Sequence, residues 1–349
     1  MILNTYKNKV VIVTGHTGFK GSWLTQWLLL LGAKVVGVSN NVPSKPSHFE
    51  SLNLKNKIIH QKVDVRNLGV LVKIFKKYKP DYVFHLAGQS IVKKSFTDPI
   101  YTWQTNTIGT LNILESLRVL KKKCFVVLIT SDKSYKNVEI RKGYKENDIL
   151  GGHDPYSASK AGAELAIQSH IKSFFPLKKT KVFISVARAG NVIGGGDWSN
   201  YRLIPDCIKS WIKNKNVILR NPKSTRPWQH VLDPLSGYLN LAIRLSKSPN
   251  KFYGSWNFGP EVNKNITVKQ IIELSINEGL DIRFSYNKCG EYESNFLSLS
   301  IEKSKNYLKW IPKWDCEFSV KRTINWYLKY YQGKNTNDLL MDDIKTFYN

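Results

Sequence analysis

Tyr156 and Lys160 stand four residues apart in Tyr156-Ser157-Ala158-Ser159-Lys160, directly after Asp154-Pro155. On a helix this spacing puts a phenol and an ammonium on one face, where the cation can lower the pKa of the phenol and hold a ribose hydroxyl. A phenol prepared in this way is a base for the proton of an alcohol. A second group closes an apolar run: Thr130-Ser131-Asp132-Lys133-Ser134-Tyr135 crowds hydroxyls, a carboxyl and an amine together. Open α/β sheets gather their chemistry at the carboxyl ends of central strands, which is where this segment would lie. The bland reading of Asp132 and Lys133 is a turn with a solvated ion pair, the less favoured of the two. The third group is Gly15-His16-Thr17-Gly18-Phe19-Lys20-Gly21. Its glycines let the backbone approach a pyrophosphate, and a helix beginning there offers free N–H groups and the positive end of its dipole.

These groups need elements to carry them. Apolar runs at 10–13, 35–38, 58–63, 82–86, 125–130 and 182–187 read as strands, with helical patterns between most of them. Runs that do not alternate are buried on both faces, and with helices between them they predict an α/β fold with a Rossmann-like, doubly wound parallel sheet. Helices are expected over 22–31, 103–120 and 156–173. After about Ala189 the pattern changes, because Gly194-Gly195-Gly196, Pro205, Pro222, Pro227 and Pro234 cut the chain into short elements. The expected division is a dinucleotide-binding domain over 1–190 and a smaller α/β domain over 191–349 that binds substrate. A helix at 234–245 and a buried strand at 255–258 fall in a segment, 234–260, that returns to the first domain.

The GxxGxxG spacing after the first strand is similar to that of the short-chain dehydrogenase/reductases, and further segments fit that family. The resemblance implies NAD as cofactor, held by Gly15, His16, Thr17, Gly18, Phe19, Lys20 and Gly21. Asp64 and Val65 resemble the adenine-contacting pair, and Leu86, Ala87 and Gly88 the loop beside the nicotinamide ribose. Asn106 completes the pattern of Asn, Ser/Thr, Tyr156 and Lys160. One part departs from the pattern: the end of the second strand carries Ser39 and Asn40 where a carboxylate on the adenosine ribose is expected. That strand end therefore does not decide between NAD and NADP.

The resemblance narrows to the nucleotide-sugar 4,6-dehydratases, whose strand end carries a Thr-Asp-Glu segment; Ser131, Asp132 and Lys133 occupy those positions here. Lys in place of Glu is similar to the branch acting on CDP-glucose. So are Gly15-His16-Thr17-Gly18-Phe19-Lys20-Gly21-Ser22-Trp23-Leu24, Gly151-Gly152-His153-Asp154-Pro155-Tyr156-Ser157 and Thr225-Arg226-Pro227-Trp228-Gln229-His230-Val231. The resemblance implies that Tyr156 takes the C4 hydroxyl proton during oxidation, with Ser131 on the C4 oxygen. Water is then lost across C5 and C6, with Asp132 as acid, and hydride returns to C6. Lys133 acts either as a neutral base for the C5 proton or as a charged stabiliser of the enolate. Substrate contacts are implied for Gln89, Ser131, Asn191, Arg202, Arg226 and His230. The alternative, another nucleotide-sugar dehydratase or a 4-epimerase, uses the same scaffold; an epimerase has no need for Asp132 and Lys133.

Lys+Arg 53 against Asp+Glu 26 gives a net charge of +27, which raises the question of a polyanionic partner. Only 10 of the cations are Arg, and the lysines are interleaved with Asn and Ile, so the charge is spread rather than striped. A small anionic substrate is expected and nucleic acid is not. Cys124, Cys207, Cys289 and Cys316 show neither CxxC nor Cys/His ligand spacing, which argues against zinc or a disulfide framework and for reduced thiols. No metal site is expected. No early apolar stretch is long enough to span a bilayer, so a cytoplasmic protein without a membrane partner is expected. A homodimer is implied by the resemblance, through helices at 103–120 and 156–173, where Leu165 and Ile167 sit among Ala161, Gly162, Ala163 and Ala166.

Overall fold

The structure, a computed structural model, describes residues 4–219, 221–262, 266–286 and 296–349. Strands β1 (Val10–Thr14), β2 (Lys34–Ser39), β3 (Ile59–Lys62), β4 (Tyr82–His85), β5 (Cys124–Ile129) and β6 (Val182–Ala189) form one sheet with a seventh strand, Gly254–Phe258. All are parallel, in the order Gly254–Phe258, β6, β5, β4, β1, β2, β3. The order reverses between β1 and β4, so a crevice opens at their carboxyl ends, where this class of sheet binds ligands. Apolar clusters cover both faces. One centres on Val11, Val13, Trp23, Trp27 and the helix Leu232–Lys247; the other on Ile12, Val36, Val83, Val126 and Ile184. Burial on both sides explains why the strands read as continuous apolar runs.

The segment after β6 carries short strand pairs, Val192–Ile193 with Gln229–His230, Thr225–Arg226 with Ile266–Thr267, and Val217–Leu219 with Phe284–Tyr286. Helices Leu203–Ile212, Val268–Asn277 and Cys316–Tyr331 close a third apolar cluster around them. The last helix, Thr336–Tyr348, goes back to the first sheet, where Trp27 Nε1 donates to Tyr348 Oη at 3.2 Å.

The helix expected over 103–120 is interrupted. Helix Pro99–Trp103 passes through a widened turn, Gln104–Ile108, into helix Gly109–Arg118. The widened turn carries Asn106, and Gly109 begins the next helix where a Cβ would lie 2.8 Å from Val65 Cγ2. Cys124, Cys207 and Cys316 are free and buried, and burial pushes all three thiols up; Cys289 lies outside the described residues. Among the described residues no helix is long and apolar enough to cross a membrane.

Candidate active site

β1 delivers the glycine loop. Gly15 has φ +72°, and a Cβ there would lie 2.7 Å from Ala87 N, so the loop after β1 presses directly on the loop after β4. At Gly21 a Cβ would run into the carbonyl of Gly15. Gly18 is the N-cap of helix α1 (Phe19–Leu30), with no side-chain cap and no acidic residue in the first turn. The first N–H groups of α1 thus lack partners within the helix and suit an anion. Lys20, half-buried in that turn, is lowered to about 8, by burial first and then by Arg202. These features fit the pyrophosphate of a dinucleotide. A cleft of about 600 Å³ lined by Asp64, Arg66, Gln104 and Ile108 lies beyond β3.

Two loop residues face inward. His16 is fully buried beneath Gly37, with Nε2 2.7 Å from His60 Nδ1, and burial lowers it to about 4. Thr17 Oγ1 lies 2.7 Å from Ser39 Oγ and donates to Asn41 O, tying the loop to the end of β2. Asn40, standing where a carboxylate was expected, donates to Asp64 Oδ2 at 3.1 Å. Arg66 binds the same carboxylate at 2.8 Å and holds it below the usual carboxylate range. Val65 is buried and its carbonyl accepts from Asn112.

The helix Pro155–Phe174 begins with Asp154 as N-cap, accepting from Ser157 N at 3.0 Å, and Pro155 in its first turn. Tyr156 and Lys160 follow on one face, as expected. A Cβ on Gly88 would lie 3.2 Å from Lys160 Nζ and 3.0 Å from Asn106 Oδ1, which places these groups around the loop after β4. Leu86 and Ala87 are half-buried in that loop. Asn106 holds the loop by both ends of its amide, accepting from Gln89 N at 2.8 Å and donating to Gln89 O at 3.1 Å and Ser159 Oγ at 2.9 Å.

Ser131 caps a single 3₁₀ turn, Asp132–Ser134, and donates to Asp132 Oδ1 at 2.8 Å. Asp132 is buried and Lys133 half-buried; the Lys133 side chain makes no hydrogen bond or ion pair with a described residue. Gly190 leaves room for the acid, since a Cβ there would be 3.0 Å from Asp132 Oδ2 and 3.1 Å from Pro227. The acid, the strand end and the 225–230 loop therefore meet at one point.

Burial and then Asp132 push Tyr156 up to about 12, and the groups that draw it down are Ser131 and Arg202. Lys160 is itself lowered to about 8 by burial, with Glu164 opposing. Desolvation is the first cause of the shift in both groups.

The expected substrate contacts fall into two sets. Arg202 reaches across the crevice, donating to Asp197 Oδ2 at 2.8 Å and to Ser90 Oγ at 2.9 Å, and Asn191 lies half-buried at the end of β6. Arg226 is largely buried and donates to the Thr225 carbonyl at 2.8 Å. Gln89 and His230 face inward. The Gln89 carboxamide is taken up by Ile91 N, Ile91 O and Thr102 Oγ1. His230 is fully buried between Trp23 and Trp314 and lowered to about 3 by desolvation, so it is neutral and offers an anion no charge. Sequence reading missed Glu164, which stands one turn beyond Lys160 and binds Thr130 and Arg188; its spacing from Lys160 was the available signal.

Residues 12–323 match the family model described as GDP-mannose 4,6 dehydratase. The chain is 42% identical over 338 residues to the CDP-glucose 4,6-dehydratase of Salmonella typhimurium, covering 95% of this chain and 94% of that one. Two solved structures share the fold. The dTDP-glucose 4,6-dehydratase DesIV of Streptomyces venezuelae, with NAD and TYD bound, gives a TM-score of 0.77 at 20% identity over 92% of this chain and 97% of that one. The UDP-glucose 4-epimerase of Thermotoga maritima, with UDP-glucose, gives 0.79 at 24% over 92% and 99%.

Proposed function

The chain belongs to the GDP-mannose 4,6 dehydratase family, and from that premise we propose that it dehydrates CDP-D-glucose to CDP-4-keto-6-deoxy-D-glucose with NAD, in deoxysugar biosynthesis. The observation that carries this reading is the buried Asp132, joined through Ser131 to the surroundings of Tyr156. A simple dehydrogenase or a 4-epimerase has no use for an acid there. The choice of CDP-glucose rests on the similarity to the Salmonella enzyme. Incubation with a panel of nucleotide-glucoses tests it: CDP-glucose alone should lose water, and a C4 epimer or an unchanged sugar would refute the reading.

NAD fits the glycine loop, the first turn of α1, Asp64 and the Gly88 loop, and when bound it supplies the position that takes a hydride from C4 and returns it to C6. The chain's residues do the rest. Lys160 holds the ribose, Ser131 holds the C4 oxygen and Tyr156 takes the C4 hydroxyl proton. Once C4 is a ketone the C5 hydrogen is acidic; Lys133 takes it as base and Asp132 gives a proton to the departing C6 hydroxyl. Arg202, Asn191 and Arg226 border the space for the substrate's phosphates, where a guanidinium suits paired oxygens. Residues 1–190 with the returning segment near 234–260 hold the cofactor, and the remainder of 191–349 holds the nucleotide sugar. With buried free thiols and a diffusible substrate, the enzyme works in the cytoplasm.

Because Ser39 and Asn40 end β2 without a carboxylate, and Asp64 is engaged by Arg66 and Asn40, NAD is held less firmly, by about 1–3 kcal/mol for one charge-assisted hydrogen bond. Added NAD should raise the activity of freshly purified protein. Full occupancy surviving dilution and gel filtration would show the contact is made another way.

The enzyme pairs as a homodimer through the helix Pro155–Phe174 and the interrupted stretch Pro99–Arg118, which contains most of the helix expected over 103–120. Ile100, Trp103, Leu165 and Phe174 stand exposed on them, an apolar strip that a second copy would cover. Ile167, expected beside Leu165, is instead buried in the core with Ile113 and Val186. Light scattering should give the mass of two chains, and Leu165→Asp should give one; a monomeric unsubstituted protein at micromolar concentration contradicts the pairing.

A further inference from the structure

Glu164 is fully buried on the helix that carries Tyr156 and Lys160. Its Oε1 accepts from Arg188 Nε at 2.8 Å and from Thr130 Oγ1 at 2.5 Å, and its Oε2 accepts from Arg188 Nη2 at 2.9 Å. Thr130 is the residue immediately before Ser131 and joins β5 to the catalytic turn. Arg188, on β6, continues the network. It donates to Tyr135 Oη at 2.6 Å, just past the turn, to Glu146 O at 2.9 Å and to Ser255 Oγ at 3.1 Å, and Tyr135 Oη donates to Asn257 Oδ1 at 2.8 Å. The turn holding Ser131, Asp132 and Lys133 is thus fastened on both sides, at Thr130 and at Tyr135, to one buried ion pair. A buried pair is weak evidence of added stability, since apolar residues of similar volume often do as well. Its placement between two catalytic segments calls for another role.

We propose that Glu164, held by Arg188, is a positioning residue: by sharing one carboxylate oxygen between Arg188 and Thr130 it sets the spacing between the helix face bearing Tyr156 and Lys160 and the strand end bearing Ser131, Asp132 and Lys133. In its effect on the reaction this rests on the dehydratase reading above. Its charge acts on Lys160 as well, because Glu164 is the group that raises an ammonium otherwise lowered by burial. The other groups facing Lys160 are Tyr156 on the same helix face, Asn106 and Gly88, Lys20 on α1 and the neutral His85 on β4; Glu164 itself is faced by Thr130 and Arg188.

Three variants test it. Thr130→Val removes the hydroxyl link and keeps both charges; kcat per bound cofactor should fall roughly 10–100-fold with KM little changed, as expected for displaced catalytic groups, and Thr130→Ser should restore most of it. Glu164→Gln should also shift to lower pH the midpoint of the fall of NAD affinity with rising pH, because the carboxylate that raises Lys160 is gone, measured without any sugar; Thr130→Val should leave that midpoint in place. A Thr130→Val enzyme turning over at the unsubstituted rate overturns the proposal, as does a folded Glu164→Gln protein with an unmoved midpoint. If Glu164→Gln does not fold, the Thr130 pair decides. If the unsubstituted protein leaves CDP-glucose unchanged, the dehydratase reading is what has failed, and the NAD midpoint still decides the role of Glu164.

Discussion

Tyr156→Phe slows ketone formation at C4, exchange at C5 and loss of water together, by roughly 10²–10⁴-fold, as for loss of a positioned base. The phenylalanine ring keeps the packing of a residue that is 7% exposed, so the effect is one of chemistry rather than folding. All three fall together because C5 becomes acidic only after C4 is oxidised, and every later step waits on that ketone. The buried phenol is pushed up to about 12 by its surroundings. Mass analysis after incubation in D2O checks the prediction; C5 deuterium entering as fast in the Tyr156→Phe reaction as in the unsubstituted one would mean that C5 loses its proton without C4 oxidation.

Lys133→Ala separates the second half of the chemistry from the first. Oxidation at C4 remains possible, because Tyr156, Lys160 and Ser131 are intact, but elimination slows by roughly 10²–10⁴-fold if Lys133 is the general base. Under single-turnover conditions a CDP-4-keto-glucose that still carries its C6 hydroxyl should accumulate. Asp132→Asn accumulates the same compound yet permits slow exchange at C5, since the base is present and only the acid for the leaving hydroxyl is missing. That contrast assigns the two roles. If Lys133→Ala exchanges C5 deuterium as fast as the unsubstituted protein, Lys133 is not the base.

What could be seen in the sequence was whatever local backbone dictates. The glycine loop, the i, i+4 pair of Tyr156 and Lys160 and the polar cluster at the end of β5 each depend on a few adjacent residues, and the structure places them around one crevice. The seventh strand, Gly254–Phe258, was legible as a buried run for the same reason. The inward orientation of Gln89 and His230 was not, because it is set by partners elsewhere in the chain: Thr102 for the carboxamide, and Trp23 and Trp314 for the imidazole. Glu164 went unread because its meaning lies in Thr130 and Arg188, which are distant in sequence. The interruption at Gln104–Ile108 was hidden by residues that all tolerate a helix.

The measurement that bears most directly on the central claim is the fate of deuterium placed at C4 of CDP-glucose. NMR of the product should show that deuterium at C6 of CDP-4-keto-6-deoxyglucose, and in D2O a solvent deuteron at C5, because one site oxidises C4, eliminates water and returns the same hydrogen. A 4-keto sugar formed in stoichiometric amount with its C6 hydroxyl retained, or a C4 epimer still carrying the label at C4, would contradict the account.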